Sequence, residues 1–382
     1  MRHFIVVFVV IAGFWIIFSL QSCKASQSTQ CDVPTSEDCP TQTTQTTLST
    51  NQPPSTLGQG LFISSISGGS LTLKWDQASD NETPQSLLFY AAYVSPANPA
   101  AGSFDEISEV EAGTQIVSGT ALTSATFSPS AVPAGTTYQF NVIVIDQQGN
   151  KSVYRPRGEM VDTSLIFYWP FDGHTNDISP MLNHLVYFDG IQPFLYDVDR
   201  FGVAKGAGSI QVTDGTTRSA TLKSSQLVSN ASLTANASRT FVLWAKPRLY
   251  PLNSAVPTQM LFLYGSGATN SGFGLRYNGF TNFMSGSNSS VIEGGVSTEW
   301  IQWAIVYDGA TMTFYKNGSF FISSGIALST PSSTFLTVGR ADNSFGSNLT
   351  ENFDGAFDDF QVFGRALTGA EIGNLYQAQR AL

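Results

Sequence analysis

The sequence predicts an all-β protein in which two β-sandwiches follow each other along the chain. Short apolar runs alternate with polar residues at a period of two, as in a strand with one buried face. Turn-forming residues separate these runs, and the 382 residues include 34 Gly and 17 Pro. Hydrophobic residues make up 42% of the chain, enough to fill cores, whereas charged residues make up only 12%. Because typical soluble domains carry about a quarter charged residues, this composition favours an extracellular β protein with many turns.

The charge pattern argues against one class of partner. The formal net charge is −10 at pH 7, and the sequence contains no cluster of Lys and Arg. Proteins that bind DNA or RNA carry basic patches, so no nucleic-acid partner is expected. An acidic surface is compatible with binding cations or neutral glycans.

The N-terminus predicts export to a membrane. Arg2 precedes an uncharged, nearly all-apolar run over residues 4–20, which is at the short limit for a membrane span. The run ends in Leu-Gln-Ser-Cys at residues 20–23, which resembles the bacterial lipobox. That resemblance implies a signal peptide over residues 1–22 and a lipid on Cys23. It also implies a protein anchored in the bacterial cell envelope, at the outer membrane or the cell surface. The alternative is an uncleaved signal anchor.

A polar tether is predicted next. Residues 23–56 are rich in Ser, Thr, Gln and Pro and contain almost no large apolar residue. Such a segment cannot bury enough surface to offset its ordering entropy, so we expect it to be disordered. With Cys23 lipidated, Cys31 and Cys39 remain as a pair, and an oxidising compartment favours a disulfide between them.

The first sandwich is predicted over residues 57–162. Four strand patterns occur there, of which "SLTLKWD" and "TTYQFNVIVID" are the clearest. Strands at this spacing, with Gly, Pro and Asn between them, are typical of a sandwich. The segment resembles the fibronectin type III family, in which Trp75 would be the tryptophan of the second strand and Tyr138 the tyrosine of the corner. No RGD tripeptide occurs, so integrin binding by that route is not implied.

The second sandwich is predicted over residues 163–382. In "YDGATMTFYKNGSF", Asp308-Gly309 and Asn317-Gly318 lie between apolar alternations and predict two type I′ hairpins. Near the end of the chain, Thr368 and Glu371 predict a helix that begins with a capping box. The apolar face of this helix is short and consists of Ile372, Leu375 and Tyr376, with Gln379 at the next position.

Taken in order, these patterns resemble the LamG-like jelly roll of the concanavalin A-like lectin and glucanase superfamily. The most specific stretch is "FDGAFDDFQVFGRALTGAEIGNLY", which joins a strand with two aspartates to the capped helix. The resemblance implies a jelly-roll sandwich over residues 163–382. One stretch departs from the family: "DISPMLNH", residues 177–184, lacks the Gly-Asn-Gly turn that members often have there.

The sequence does not indicate an enzyme. A glucanase of this superfamily needs two nearby carboxylates on one strand, one as nucleophile and one as acid. No Glu of the C-terminal part has an acid two residues away, and Glu109 and Glu111, which have that spacing, lie in the other domain. The sequence also lacks a Gly-x-Ser-x-Gly motif. Four tryptophans are candidates for a sugar-stacking platform, although most are expected in the core: Trp169, Trp244, Trp300 and Trp303.

The adjacent aspartates of the last strand pattern need an explanation. By strand alternation, Asp358 shares a face with Phe360, and Asp359 shares the other face with Phe357, so at least one carboxylate is expected to be buried. A buried carboxylate needs a partner, and Arg340 and Arg365 are the nearest candidates in the sequence. The alternative partner is a structural calcium ion, which jelly rolls of this superfamily often carry. The matching acids are Asp172, Asp177, Asp358 and Asp359. A further alternative is that these aspartates cap loops by accepting backbone N–H bonds.

These observations favour a binding protein of the cell envelope. The expected function is non-catalytic binding of a glycan or an extracellular glycoprotein through the LamG-like domain. The alternatives are a structural envelope or assembly protein whose domains contact other proteins and, less favoured, an unusual glycosidase.

Overall fold

The computed structural model confirms the all-β fold class. The residues that the structure describes are 51–67, 69–97, 103–129, 135–189, 194–210, 221–248, 259–277, 280–285, 288–294, 297–339 and 353–380. Residues 50–382 form one compact unit. The predicted signal peptide and the cysteines at 23, 31 and 39 lie outside the described residues. A search of the described part for a helix long and apolar enough to cross a membrane finds none.

The first sandwich contains a three-stranded sheet, in the order β1-β2-β5, and a five-stranded sheet, in which β4-β3-β6-β7 is extended by β8 pairing with β6. Its elements are β1 Leu61–Ser67, β2 Ser70–Trp75, β3 Phe89–Pro96, α1 Ile107–Glu111, β4 Thr114–Thr120, β5 Ser124–Phe127, β6 Thr136–Ile145, β7 Lys151–Val153 and β8 Arg157–Val161. Trp75 and Tyr138 are both buried in its core. The likeness to fibronectin type III domains stays a prediction.

The predicted tether ends earlier than the sequence suggested. Asn51 donates from Nδ2 to Asp146 Oδ2 at 2.9 Å, and the Thr56 hydroxyl donates to the Val153 carbonyl at 2.9 Å. Residues 51–56 are therefore bound to the first sandwich, because Asn51 bonds to Asp146, after β6, and Thr56 bonds to Val153 of β7.

The second sandwich packs a seven-stranded sheet, β10-β13-β22-β15-β16-β17-β18, against an eight-stranded one, β11-β12-β23-β14-β19-β20-β21 with β9 pairing with β23. Its elements are β9 Leu165–Trp169, β10 Leu185–Asp189, β11 Leu195–Asp197, β12 Ala207–Ile210, β13 Thr221–Ser224, β14 Arg239–Pro247, β15 Gln259–Gly265, β16 Gly272–Tyr277, β17 Phe280–Ser285, β18 Asn288–Gly294, β19 Ile301–Tyr307, β20 Thr311–Lys316, β21 Ser319–Gly325, β22 Leu336–Val338, β23 Gly355–Phe363 and α2 Gly369–Gln379.

The central strands of the eight-stranded sheet, β9, β23, β14 and β19, are buried on both faces. Along β14, Phe241 and Leu243 enter the core between the two sheets, whereas Val242 between them enters the core shared with the first sandwich. Helix α2 covers this outer face and packs against β6 and β8. The outer face of a jelly-roll sheet has thus become an interface between the two sandwiches, which explains why β14 and β23 are buried at nearly every position.

The two predicted hairpins form, but only one has the predicted turn. Asn317 and Gly318 have φ of 50° and 76°, as a type I′ turn requires. In the other connection only Gly309 has a positive φ, of 105°, and Asp308 Oδ1 accepts from the backbone N–H groups of Ala310 and Thr311. The prediction of a type I′ turn at Asp308-Gly309 is wrong because the aspartate side chain stabilises a longer loop.

The capping box of α2 is confirmed. The Thr368 hydroxyl accepts from Glu371 N, and Glu371 accepts from Thr368 N. Gln379, where the apolar face was expected to end, is buried as well. Its amide oxygen accepts from Trp244 Nε1 at 3.0 Å and from Gln302 Nε2 at 3.2 Å, so hydrogen bonds satisfy this buried polar group.

Candidate functional site: a buried ion cluster and the cavity beside it

A β-bulge places both adjacent aspartates on the same face of β23. The register between β14 and β23 shifts between Val242 and Trp244, and Asp359 has φ of 45°. An extra residue in a strand interrupts the alternation of faces. Phe357 and Phe360 consequently both enter the core between the sheets, and both carboxylates turn to the outer face. The predicted sharing of a face by Asp358 and Phe360 is wrong for this reason.

Two buried arginines hold the aspartates. Arg200, in the loop before β12, contacts Asp358 through Nη1 and Asp359 through Nη2, the latter at 2.5 Å. Arg157, the first residue of β8 in the first sandwich, contacts the other oxygen of Asp359. The Tyr168 hydroxyl donates to that same oxygen at 2.5 Å. Two guanidinium groups therefore face two carboxyl groups in a cluster that joins the sandwiches.

Strand β8 continues this connection along β23. Two residues after Arg157, Glu159 accepts from Gln361 Nε2 at 2.5 Å, and Gln361 lies two residues after Asp359. Alternate side chains of one strand thus meet alternate side chains of the other. Gly158, between them, approaches α2 so closely that a Cβ would collide with the backbone of Ala378.

Burial and the neighbouring charges shift the pKa values of the carboxyl groups of the cluster in different directions. Burial by itself would raise the pKa of Asp359, but the Arg157 and Arg200 guanidinium groups outweigh it and lower that pKa. Burial raises the pKa of Asp358, against the attraction of Arg200. Burial also raises the pKa of Glu159 to about 7, and the neighbouring charge of Asp359 raises it further. The cluster accordingly holds protons that the unfolded chain would release.

The sequence did not identify these partners. Arg340 lies outside the described residues, and Arg365 instead binds Asp162 and Glu371, the latter at 2.6 Å. A signal for Arg157 and Glu159 was present, because two charged residues alternate in the apolar strand "RGEMV". Nothing in the local pattern distinguishes Arg200 from an arginine in a solvent-exposed loop.

The four acids proposed as calcium ligands do not form one site. Asp177 caps a loop, accepting from the N–H groups of Tyr168, Ser179 and Asn183 at 2.9–3.0 Å. Asp358 and Asp359 face guanidinium groups, which already neutralise them. Asp172 has one buried oxygen without a partner, and burial raises its pKa to about 7. Within the described ranges no group of three or more acidic, His or Cys side chains could hold a metal. This donor set does not fit calcium, which needs six to eight oxygens without competing cations.

The altered turn of residues 177–184 is ordered by His184. Its Nδ1 accepts from Asp177 N at 3.0 Å. The interpretation of His184 as a structural histidine agrees with this contact.

A cavity of about 540 Å³ lies beside the cluster, where the two sandwiches meet. The first sandwich contributes Arg155 and Asp105 to its wall, and the second contributes Phe201 and Arg380. Phe201 separates the cavity from the cluster, since its ring centroid lies 4.3 Å from the Arg200 guanidinium carbon. A recess of about 20 Å³ shares Arg155 and Phe201 with the cavity and includes Asp172 in its lining. That recess has room for about one water molecule.

The tryptophans do not form a platform for stacking sugars. Trp169, Trp244 and Trp303 are buried, and each donates its indole N–H inside the protein, to Asn183 O, Gln379 Oε1 and the Tyr277 hydroxyl, respectively. Trp300 alone among the four is partly exposed. The aromatic residues that line the described cavity are instead Phe201 and Tyr154.

Glu109 and Glu111 do not form a catalytic pair. They lie on the short helix α1, where residues two apart point to different sides. Glu111 pairs with Lys151, at 2.5 Å, and Glu109 accepts from Phe104 N at 2.9 Å. Each carboxylate therefore has a local partner of its own.

A comparison with protein families covers much of the second sandwich. Residues 214–373 match the Laminin_G_3 family model, described as the concanavalin A-like lectin/glucanases superfamily. The second sandwich contains a concanavalin A-like domain. This match confirms the LamG-like resemblance over those residues, and it includes both cluster aspartates but neither Asp172 nor any residue that lines the cavity. No curated protein sequence matches the chain.

Solved structures show low similarity. Domain 4 of AbnA, a GH43 extracellular arabinanase from Geobacillus stearothermophilus, in complex with arabinotriose, has a TM-score of 0.42 and 17% identity, over 56% of this chain and 98% of that one. The binding domain of botulinum neurotoxin DC in complex with SialylT has a TM-score of 0.41 and 14% identity, over 56% of this chain and 52% of that one. The botulinum neurotoxin type G receptor-binding domain has a TM-score of 0.40 and 14% identity, over 56% of this chain and 51% of that one. This chain spans about half the length of the two neurotoxin domains.

Proposed function

We propose that this protein is a non-catalytic binding protein of the bacterial cell envelope and that its ligand is a glycan or the glycan of an extracellular glycoprotein. The observation that carries the proposal is the cavity where the two sandwiches meet. Its volume of about 540 Å³ falls in the range of small-molecule sites, roughly 300–1,000 Å³. The second sandwich forms part of its wall, through Phe201 and Arg380.

The lining supplies the groups that a sugar needs. Arg155 and Arg380 carry hydrogen-bond donors, Asp105 carries acceptors for hydroxyl groups, and Phe201 offers an apolar face to the C–H groups of a pyranose ring.

The test is a glycan array with the full chain, purified in detergent, followed by calorimetric titration of each hit. Binding in the micromolar to millimolar range is expected, with no release of reducing ends on prolonged incubation. Failure of all glycans to bind would overturn the proposal, and release of reducing ends would favour the glycosidase alternative.

A specific surface favours a second candidate, an assembly protein. Strand β21 is the edge of the eight-stranded sheet, and all seven of its residues are exposed. Phe320 is 63% exposed, and Phe321 and Ile322 are beside it. Exposed apolar edge strands are sites at which another strand can pair. If Phe320→Ser and Ile322→Ser changed the oligomeric state measured by light scattering, while no glycan bound, this candidate would replace the first.

Anchoring through Cys23 is the remaining part of the proposal. The lipobox-like residues 20–23 support it, and they predict a diacylglyceryl thioether on the cysteine. Cys23→Ala should abolish the incorporation of labelled fatty acid in bacterial cells. Persistent labelling of that variant would contradict the anchor.

A further inference from the structure

We infer that the cavity selects an acidic sugar, and that Arg155 and Arg380 bind the carboxylate of a uronic or sialic acid residue. This inference rests on the proposed glycan binding and deepens it, because it names the chemical class of the ligand. Carboxylate recognition by guanidinium groups is strong and directional, since each guanidinium presents its donors in a planar fork.

The first argument is that the two arginines of the cavity have no acidic partner among the described residues. Among the described residues, Arg157, Arg200, Arg248 and Arg365 each pair with one or two carboxylates. Arg155 donates from Nη1 to the Phe201 carbonyl, and its other donors have no partner in the described part of the chain. The Arg380 side chain has neither a hydrogen bond nor an ion pair with a described residue; its backbone N–H ends α2 at Tyr376 O. In a protein with a net charge of −10, two unpaired arginines in one cavity are a cationic site.

The second argument is the balance of charge inside the cavity. The lining holds two guanidinium groups against one carboxylate, that of Asp105. Asp105 already accepts a hydrogen bond from the Ser103 hydroxyl. The single acid leaves a net positive lining, and its oxygens are suited to the hydroxyl groups of a sugar but would repel a ligand with many negative charges. An acidic sugar with hydroxyl groups meets both conditions, whereas a polyanionic peptide meets only the first.

The third argument is the shape and polarity of the remaining wall. Leu57, Pro156 and Val203 join Phe201 as apolar lining, and Leu57 is 90% exposed. A Cβ built on Gly58 or on Gly202, which both line the cavity, would meet no atom within 4 Å. The apolar groups therefore border open space beside the arginines, which is the arrangement that a sugar ring with a carboxylate requires.

The experiment measures affinity by calorimetry for two matched pairs of probes: oligogalacturonate against its carboxyl-reduced form, and sialyllactose against lactose. We expect the acidic member of at least one pair to bind at least 10-fold more tightly. We also expect Arg155→Met and Arg380→Met each to weaken its binding by about 10- to 100-fold, which corresponds to the loss of a charge-assisted hydrogen bond. Arg248→Met is the matched control, because this partly exposed arginine lies outside the cavity lining, and it should leave affinity unchanged.

The outcomes separate this inference from the proposed function. Equal binding of acidic and neutral members overturns the selectivity for acidic sugars and leaves glycan binding intact. Binding of none of the four probes, together with an empty glycan array, overturns both. A polyglutamate peptide that competes as well as the acidic sugar shows that charge alone is recognised, and this also overturns the inference. Melting temperatures within about 1 °C of the parent protein confirm that the Arg155 and Arg380 variants fold, as exposed residues should permit.

Discussion

Replacing Arg200 with methionine tests the ion cluster that joins the two sandwiches. Methionine preserves much of the packing between Phe201 and Trp244, whose rings lie 4.3 and 4.8 Å from the guanidinium carbon. It removes the contacts with both aspartates and the bond from Nε to the Gln379 carbonyl, at 2.6 Å. We expect a large loss of stability, because the cation is fully desolvated along with its partners.

The size of the stability loss caused by Arg200→Met depends on which carboxylate loses its partner. Asp359 keeps Arg157 and Tyr168, whereas Asp358 loses the one ion pair that it makes with a described residue, and its other oxygen has no hydrogen-bond partner there either. Breaking a buried pair by removing one partner costs about 3–5 kcal/mol. With an unfolding entropy of about 2.1 cal/mol/K per residue over the compact unit of residues 50–382, the melting temperature should fall by about 4–7 °C.

The assay is thermal and urea unfolding of the full chain, followed by circular dichroism at pH 5 and pH 8. The loss of stability caused by Arg200→Met should be smaller at pH 5 than at pH 8, because at pH 5 Asp358 can take up a proton and lose its charge. The double variant Arg200→Met with Asp358→Asn should be more stable than Arg200→Met alone, since it no longer buries an unpaired charge. Arg248→Met removes the pairs of a partly exposed arginine with Asp197 and Asp354, and it should cost about 1 kcal/mol, well below the cost of Arg200→Met. Equal effects of Arg200→Met and Arg248→Met would refute the reasoning.

Three further predictions concern protons, calcium and cysteines. Because folding raises the pKa of Glu159 from 4.5 to about 7, the folded state retains a proton that the unfolded chain releases, and stability should fall by about 3 kcal/mol as the pH rises from about 4.5 to above 7. Glu159→Gln should remove this part of the pH dependence of the unfolding free energy, which urea titrations at several pH values measure. An unchanged pH dependence would contradict the assignment of the proton to Glu159. Melting curves with calcium and with EDTA should coincide, since arginines occupy the position of the cation, and a calcium-dependent rise of several degrees would restore the metal site. Mass spectrometry of unreduced protein from an oxidising compartment should show Cys31 linked to Cys39, whereas two alkylatable thiols would exclude the disulfide.

Several features follow from local sequence alone. The all-β class, the Asn317-Gly318 hairpin and the capping box of Thr368 and Glu371 were predicted correctly because each depends on residues close together in the chain. The turn at Asn317 and Gly318 and the bonds between Thr368 and Glu371 each involve only a few neighbouring residues of the backbone. The buried states of Trp169, Trp244 and Trp303 likewise follow from the apolar alternations that contain them.

The site depended on contacts that the sequence pattern does not encode. Strand alternation placed Asp358 and Asp359 on opposite faces, and a single bulge placed them on one. Their partner Arg157 lies 202 residues from Asp359 in sequence, and Arg200 lies 158 residues from Asp358. The cavity is bordered by both sandwiches, so neither segment shows it separately. The sequence by itself determined the strand-rich class, the Asn317-Gly318 turn and the helix cap, because these minimise local free energy. Only the packing of one sandwich on the other decided which charges meet, because burying a charge requires a partner brought from a distant part of the chain.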